Sequence, residues 1–245
     1  MRSDTIARHP SADRAAGSAA LAGRCTAAHV RLWSVSAAGL ATDLYSKAWA
    51  FRSLGADEQR AVIPGVLTFR RSLNSGALFG MGAGRGPLFI LASLVALGFV
   101  VYLFFNSAAR QRGLHVALGL ILAGALGNLH DRVRVVADVL HLQSPGGTAI
   151  GIIVPGPDPE SVYLGSYPDG ADPRPYVTRA IAQRGRVGVV RDFIKLEPTL
   201  LGRPLWPWIF NVADACLVAG VGILILDFLR QHFRLRRAAP GDAAA

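Results

Sequence analysis

The sequence predicts an α-helical membrane protein with four transmembrane helices, a small extracytoplasmic β-containing region and an inserted irregular loop. Of the 245 residues, 51% are hydrophobic and 17% are charged, whereas soluble domains carry about 25% charged residues. Four apolar segments have the length for a bilayer core of about 30 Å, which takes about 20 helical residues. Before the fourth segment lies a long stretch rich in Gly and Pro, which is typical of an irregular loop.

The chain divides into a tail, a membrane domain and a second tail. Residues 1–29 are rich in Ala, Arg, Ser and Gly, and we expect them to form a disordered, basic cytoplasmic tail. The same bias is found in organelle transit peptides, and a start codon assigned too early would also explain it. The membrane domain is predicted for residues 30–232, with the insertion at about 133–187, and a cytoplasmic tail for residues 233–245.

The four apolar segments are the predicted transmembrane helices. They cover residues 32–51, 87–105, 114–129 and 209–226. The second segment contains no charged residue, whereas the other three carry polar side chains. Those three would therefore be weaker on a hydropathy plot than the second.

Basic residues predict the orientation of these helices. The short turn 106–113 holds Arg110 and Arg112, and the tail after Arg230 is also rich in arginine. Because cytoplasmic loops carry the excess of Lys and Arg, both termini would be cytoplasmic and loops 52–86 and 133–208 would lie outside. The first outer loop opposes this orientation, since it holds arginines of its own at positions 52, 60, 70, 71 and 85.

Both outer loops contain short predicted elements. Residues 66–69 precede a Gly-rich stretch, 76–86, and predict a strand followed by a turn. Residues 145–175 are dominated by Gly and Pro and predict an irregular, exposed segment. A short helix is predicted for 177–183, and either a strand or the approach to the last helix for 187–196.

Polar side chains recur at helical spacing in three of the four apolar segments. A charge at the centre of a membrane helix costs about 2.5–3.5 kcal/mol on insertion scales, so each such group needs a partner or a function. Residues three or four positions apart share one face of a helix. The sets that share a face are Asp43 with Lys47, Asn128 with Asp131 and Arg132, and Asn211 with Asp214. Each lies toward the predicted outer end of its helix, so we expect the three sets to converge on one site.

Five motifs resemble, in the same order, those of lipoprotein signal peptidase, also called signal peptidase II, an aspartic peptidase. They are Asp43-Leu-Tyr-Ser-Lys47, Asn74-Ser-Gly-Ala-Leu-Phe-Gly80, Gly127-Asn-Leu-His-Asp-Arg132, Val190-Arg-Asp-Phe-Ile194 and Phe210-Asn-Val-Ala-Asp214. The resemblance covers roughly residues 30–232. It implies a four-helix enzyme of the bacterial inner membrane, with no metal or other cofactor. Such an enzyme removes the signal peptide from diacylglyceryl-modified prolipoproteins, cleaving before the lipidated cysteine.

The resemblance also implies roles for individual residues. Asp192 and Asp214 match the catalytic dyad of the family. Two nearby carboxylates share a proton, so one can accept a proton from the attacking water while the other donates to the carbonyl oxygen. Four other matches are expected to hold the dyad region and the substrate backbone in place: Asn128, Asp131, Arg132 and Asn211. Asn74 matches a position in the family's outer loop at the site. Asp43 and Lys47 form either a structural ion pair or a contact with substrate or a lipid headgroup.

The sequence departs from the family pattern in three places. The stretch between Arg132 and Asp192 is much longer, Leu78 stands where alanine is usual, and Arg191 replaces an apolar residue. Because of the insertion, Asp138 is an alternative first carboxylate. We prefer Asp192, because Phe193 and Ile194 follow it and the motif ending at Asp214 comes soon after, as in the family.

Charge and cysteine content narrow the function further. The net charge is +10, but the arginines are scattered and are not interleaved with aromatic residues. We therefore expect anionic membrane phospholipids, and not nucleic acid, as the partner of this charge. Two cysteines are too few for a disulfide framework or a zinc site. We expect a monomer.

Two other functions agree with some of these features. Transport or proton-relay proteins of the membrane also use intramembrane Asp, Lys and Arg. They do not need two aspartates with an Asn three residues before the second. An inactive homologue with a binding role is the other alternative, and the presence of both carboxylates argues against it.

Overall fold

The computed structural model describes residues 20–76, 86–143 and 147–238, and within them four α-helices overlap the four predicted apolar segments. The fourth helix begins three residues later than predicted, because Ile209 and Phe210 form a strand. The helices are α1 (Thr26–Ser53), α2 (Gly86–Phe105), α3 (Arg112–Arg134) and α4 (Val212–Ala238). Helix α3 contacts each of the other three and is therefore the centre of the bundle.

Two of the helices found in the described ranges are long and apolar enough to cross a bilayer, namely α3 and the part of α4 from Val212 to Arg230. Helix α2 contributes a shorter apolar stretch, Ile90–Phe105, and α1 contains the charged pair Asp43 and Lys47. Four helices are thus present, while the count of four transmembrane helices stays a prediction.

In the described residues, ordered structure extends into both of the predicted tails. Residues 20–29 are not disordered, since a 3-10 helix (Ala22–Arg24) leads into α1. Their backbone is held by the turn between α2 and α3, because Ala22 N donates to Ser107 O at 2.9 Å. At the other end α4 continues to Ala238 through Leu and Arg, which favour helices. Residues 1–19 and 239–245 lie outside the described residues.

Eleven strands connect the helices in the described part of the chain. In chain order they are β1 (Arg60–Ile63), β2 (Leu67–Asn74), β3 (Val136–Leu142), β4 (Thr148–Val154), β5 (Ser161–Ser166), β6 (Ala171–Val177), β7 (Ile181–Gly188), β8 (Val190–Leu196), β9 (Thr199–Leu200), β10 (Arg203–Pro204) and β11 (Ile209–Phe210).

A four-stranded antiparallel sheet, which we call the site sheet, has the strand order β1-β2-β8-β11. It confirms the strand predicted at residues 66–69, which is longer than expected, and the strand alternative for residues 187–196. Strand β8 pairs with β2 so that Asp192 lies opposite Ser72, and Asn74 lies opposite Val190. Residues 77–85, which include Leu78 and most of the predicted turn, are outside the described ranges.

The insertion is a five-stranded antiparallel sheet, with the order β6-β5-β4-β3-β7, so the prediction of an irregular loop is wrong. Alternating side chains such as Leu140, Val162 and Leu164 form its own small core. Two prolines of this stretch, Pro173 and Pro175, lie in β6, an edge strand, where a missing N–H is tolerated, and other prolines lie in the connections between strands. The predicted helix at 177–183 is likewise wrong, since only Thr178–Ala180 forms a 3-10 turn before β7.

A single residue joins the inserted sheet to the site sheet. Val189, fully buried, separates β7 from β8, and its N–H donates to Val135 O at 2.9 Å. The insertion therefore starts directly after α3 and returns to the same place. As a result, Asp192 lies close to the end of α3 although sixty residues separate it from Arg132 in sequence.

Candidate active site

Asp192 and Asp214 line one cavity of about 550 Å³. Asp192 is in the centre of β8, and Asp214 is in the first turn of α4. Most of the remaining wall is apolar and comes from α2, α3, α4 and the segment before α4, with Ala96, Ala125, Leu217, Trp206 and Trp208 among its side chains. The cavity therefore combines two carboxylates with a surface suited to apolar groups.

Asp192 is almost completely buried, with 2% of its surface exposed. Both of its carboxylate oxygens accept hydrogen bonds, from Asn211 Nδ2 at 2.6 Å and from Asn74 Nδ2 at 3.1 Å. Burial, followed by the neighbouring charge of Asp214, raises the pKa of Asp192 to about 7, against the opposite effect of the two amides. Asp192 therefore holds a proton in the neutral range more readily than an ordinary aspartate.

Asp214 is held by the start of α4. Asn211 caps this helix, since its Oδ1 accepts from Asp214 N at 3.0 Å while Asp214 Oδ2 accepts from Asn211 N at 3.2 Å. This reciprocal arrangement is a capping box, and it explains the three-residue spacing of the motif. The N-terminus of a helix also favours a negative charge.

Two asparagines connect the carboxylates. The Nδ2 group of Asn211, which is fully buried, donates to Asp192 Oδ1 and also to Asn128 Oδ1 at 3.2 Å. Asn128 Nδ2 in turn donates to Asp214 Oδ1 at 2.8 Å. The predicted polar sets of α3 and α4 therefore do converge, and they contact both aspartates.

The pair of Asp43 and Lys47 lies beneath the asparagines and is completely buried. Lys47 Nζ donates to Asp43 Oδ2 at 2.7 Å and to Asn128 Oδ1 at 3.1 Å. Asp43 Oδ1 accepts from Ala213 N at 2.8 Å, so the pair ties α1 to both α3 and α4. Neither residue lines the cavity as it is described, and these contacts support the structural ion-pair interpretation.

Asp131 and Arg132 are adjacent in α3, but their side chains contact different parts of the molecule. Asp131 is buried and accepts three hydrogen bonds from Arg191, from the backbone N at 3.0 Å, from Nε at 3.1 Å and from Nη2 at 2.7 Å. Arg132 lines the cavity, and its Nη2 donates to Gly76 O at 2.9 Å. The sequence showed Arg191 only as a departure from the family pattern. An arginine next to the predicted Asp192 indicates that an acidic partner is needed, but it does not indicate which one.

Asp138, the alternative first carboxylate, points to a different part of the molecule. It lies in β3, where its Oδ2 accepts from Ile153 N at 2.8 Å and its Oδ1 is 3.5 Å from Arg186 Nε. It is not among the described residues that line the cavity of Asp192 and Asp214. The structure thus brings Asp192, and not Asp138, together with Asp214.

The fold and the site together define a helical protein with apolar helices of bilayer length and a carboxylate pair on one cavity. The family model described as Signal peptidase (SPase) II matches residues 35–230, which is more than half of the chain. The chain therefore belongs to the signal peptidase II family, a family of aspartic peptidases, and the assignment made from the sequence motifs is confirmed.

Curated relatives are named lipoprotein signal peptidase. The protein of Rhodopirellula baltica is 40% identical over 105 residues, which cover 41% of this chain and 47% of that protein, so the chain spans about half of that relative. The protein of Desulfitobacterium hafniense is 25% identical over 180 residues, which cover 74% of this chain and 80% of that protein.

Two solved structures share the fold. Both are described as bacterial membrane enzymes determined by the in meso method, one at 2.3 Å and the other at 1.9 Å resolution. The first has a TM-score of 0.55 at 21% identity and covers 86% of this chain and 92% of its own chain. The second has a TM-score of 0.52 at 23% identity, with coverages of 80% and 90%.

Proposed function

We propose that the chain is an aspartic endopeptidase that removes the signal peptide from diacylglyceryl-modified prolipoproteins, cleaving before the lipidated cysteine. The observation that carries this proposal is the placement of Asp192 and Asp214 on one largely apolar cavity, joined through Asn211. Membership of the signal peptidase II family and the names of the curated relatives support it.

The environments of the two aspartates suggest how they divide the proton. Asp192, whose pKa is raised to about 7, is the acid, and Asp214 at the helix N-terminus is the base. Asp214 accepts a proton from water as the water oxygen bonds to the scissile carbonyl carbon, while Asp192 donates its proton to the carbonyl oxygen. The C–N bond then breaks as the leaving nitrogen takes up the proton held by Asp214, and the diol returns the other proton to Asp192.

The cavity walls fit the two parts of such a substrate. Apolar side chains of α2 and α4, such as Ala96 and Leu217, offer a surface for a signal peptide and for acyl chains. Asn74 and Arg132 lie at the polar end beside the aspartates, and we assign them to the substrate backbone near the scissile bond. Asn128 and Asn211 hold the two aspartates in place. The pair of Asp43 and Lys47 supports Asn128 from outside the cavity lining.

We further propose four transmembrane helices with both termini in the cytoplasm of a bacterial cell, and a monomeric enzyme. Helices α2 and α4 expose large apolar side chains, with Phe99 58% and Phe228 69% exposed, as expected for surfaces that contact lipid. The described strands all follow or precede the same ends of the helices, so one side of the bundle would carry them.

Cleavage of a defined substrate tests the proposal. The purified chain, reconstituted in liposomes, is incubated with a diacylglyceryl-modified prolipoprotein, and the products are identified by mass spectrometry. We expect one product that begins with the lipidated cysteine, and much slower cleavage of the same prolipoprotein without the lipid. A folded preparation that leaves the lipidated substrate intact but carries protons across the liposome would contradict the proposal and favour the relay alternative.

A further inference from the structure

A second cavity, which we call the arginine pocket, lies between the site sheet and the inserted sheet. Its volume is about 490 Å³. The wall on the bundle side includes Phe51, Arg70 and Arg71, and the wall on the insertion side includes Tyr167 and Arg174. The pocket therefore depends on the insertion, which supplies one of its two walls.

A bulge in β2 directs two consecutive arginines into this pocket. Phe69 pairs with Ile194 and Ser72 pairs with Asp192, so three steps along β2 match two steps along β8. Neighbouring residues of a regular strand point to opposite faces, whereas the extra residue of a bulge breaks this alternation. Arg70 and Arg71 accordingly line the same cavity.

The positive charge of the pocket is only partly compensated. Arg71 is held by two carbonyls, donating from Nη1 to Phe51 O at 3.2 Å and to Tyr167 O at 3.3 Å. Arg174 pairs with the exposed Asp57. Arg70 is half-buried, and its side chain makes no hydrogen bond or ion pair within the described ranges. No Asp or Glu is among the described residues that line the pocket.

The position of the pocket indicates its depth relative to the bilayer. Phe51 belongs to the last turn of α1, where that helix leaves the proposed membrane region. Trp49, two residues earlier, packs against Phe69 with ring centroids 5.5 Å apart. Tryptophan is enriched at the level of the lipid headgroups, so the arginines would lie at that level.

We propose that the arginine pocket binds the phosphate-bearing headgroup of an anionic phospholipid from the outer leaflet. Guanidinium groups match the geometry of phosphate oxygens and are weakly hydrated, which favours this pairing in a partly buried site. This inference rests on the proposed membrane enzyme, since only there does the pocket face headgroups. It gives the insertion a function: to anchor the site sheet, with Asp192, to the lipid surface.

Lipid binding by the full-length protein in detergent tests this proposal. The probes are short-chain phosphatidylglycerol and short-chain phosphatidylcholine, titrated by microscale thermophoresis. We expect phosphatidylglycerol to bind about tenfold more tightly, because each basic group near an anionic surface contributes to affinity. The preference should fall in Arg70→Gln and disappear in the double variant R70Q/R174Q.

A matched control removes two arginines of the insertion that do not line the pocket. Arg179 and Arg184 are exposed, and R179Q/R184Q makes the same change in net charge as R70Q/R174Q. We expect this control to keep the lipid preference. Equal affinity of the unmodified protein for both lipids, or a preference that survives in R70Q/R174Q, would overturn the proposal.

Two further probes separate other anions from the lipid. Displacement of phosphatidylglycerol by inorganic phosphate would support recognition of the phosphate group. Tight binding of inorganic phosphate without a lipid preference, or of an acidic peptide instead of the lipid, would overturn the lipid assignment. Cleavage by the same preparation distinguishes the two proposals: lost lipid preference with intact cleavage refutes the pocket alone, and intact lipid preference without cleavage refutes the peptidase alone.

Discussion

Among the described residues, the carboxylates of Asp192 and Asp214 accept the same number of hydrogen bonds but occupy different surroundings. Asp192 lies on a strand, is 2% exposed, and accepts from two side-chain amides. Asp214 is half-buried in the first turn of a helix, and accepts from one side-chain amide and from the backbone N–H of Asn211. Hydrogen bonding alone therefore does not distinguish the two carboxylates.

The two carboxylates differ in their burial and in their distance from a helix N-terminus. Removing a carboxylate from water favours its protonated form, and this is the largest cause of the raised pKa of Asp192. The start of α4 instead favours a negative charge at Asp214. The proposed mechanism assigns the acid role to the carboxylate on a buried strand and the base role to the carboxylate at a helix cap.

Removing either carboxylate should have the largest effect. In the proposed mechanism each aspartate moves a proton, so Asp192→Asn and Asp214→Asn should each lower the cleavage rate by at least about 10³-fold. Initial rates on a lipidated prolipoprotein measure this. Asp138→Asn is the matched control and should keep nearly full activity, because Asp138 contacts Ile153 and Arg186 outside the cavity. Loss of activity in D138N with D192N unaffected would transfer the acid role to Asp138.

The four helices and the convergence of their polar faces on one site could be predicted from the sequence. Apolar segments of helical length predict the helices, and polar residues three or four apart predict which faces converge, since these signals are local. The inserted sheet could not be predicted in the same way. Its Gly and Pro residues suggest a loop, and only pairing between distant strands shows that Pro173 and Pro175 occupy an edge.

The contacts that position Asp192 were the least predictable part of the site. Asn211 and Asp214 are adjacent in one helix cap, so their spacing indicates their contact. By contrast, Asp131 and Arg191 are separated by the whole insertion, and their pairing depends on how the inserted sheet returns the chain to α3. A substitution of an apolar residue by arginine marks the position but does not identify the partner.

Breaking the contact between Arg191 and Asp131, next to Asp192, should have the second largest effect. Arg191→Met leaves the buried Asp131 without its main partner, and loss of one member of a buried pair costs about 3 kcal/mol or more. We expect the Tm to fall by about 5–10 °C and cleavage to slow by about tenfold or more, since β8 positions the acid. Thermal unfolding and cleavage rates measure both.

The double variant D131N/R191M shows whether these residues act as a pair. Its loss in Tm should be smaller than the sum of the two single losses. A positioning role also requires the pH dependence of cleavage in Arg191→Met to differ from that of the unmodified enzyme. Additive losses with an unchanged pH profile would mean that Arg191 stabilises the fold without placing Asp192.

The pH dependence of cleavage tests the assignment of acid and base. The folded protein keeps the Asp192 proton up to a pKa of about 7, whereas an unfolded aspartate loses it near pH 4. Activity that needs this proton should therefore fall above about pH 7, by about tenfold per pH unit at most. Measurements of kcat/KM from pH 5 to pH 9 check this, and a rate that rises across the same interval would contradict the assignment of Asp192 as the acid.

Asn74→Ala should produce the smallest of these changes in the pH dependence of cleavage. Asn74 Nδ2 donates to Asp192 Oδ2 at 3.1 Å, and this hydrogen bond stabilises the ionised form and lowers the pKa. Its removal should raise the pKa of Asp192 further and move the fall in activity to higher pH, by less than about one unit. A profile that moves to lower pH would show that Asn74 stabilises the protonated acid. The proton would then be held through the Asn74 amide, and burial alone would not explain why Asp192 and Asp214 differ.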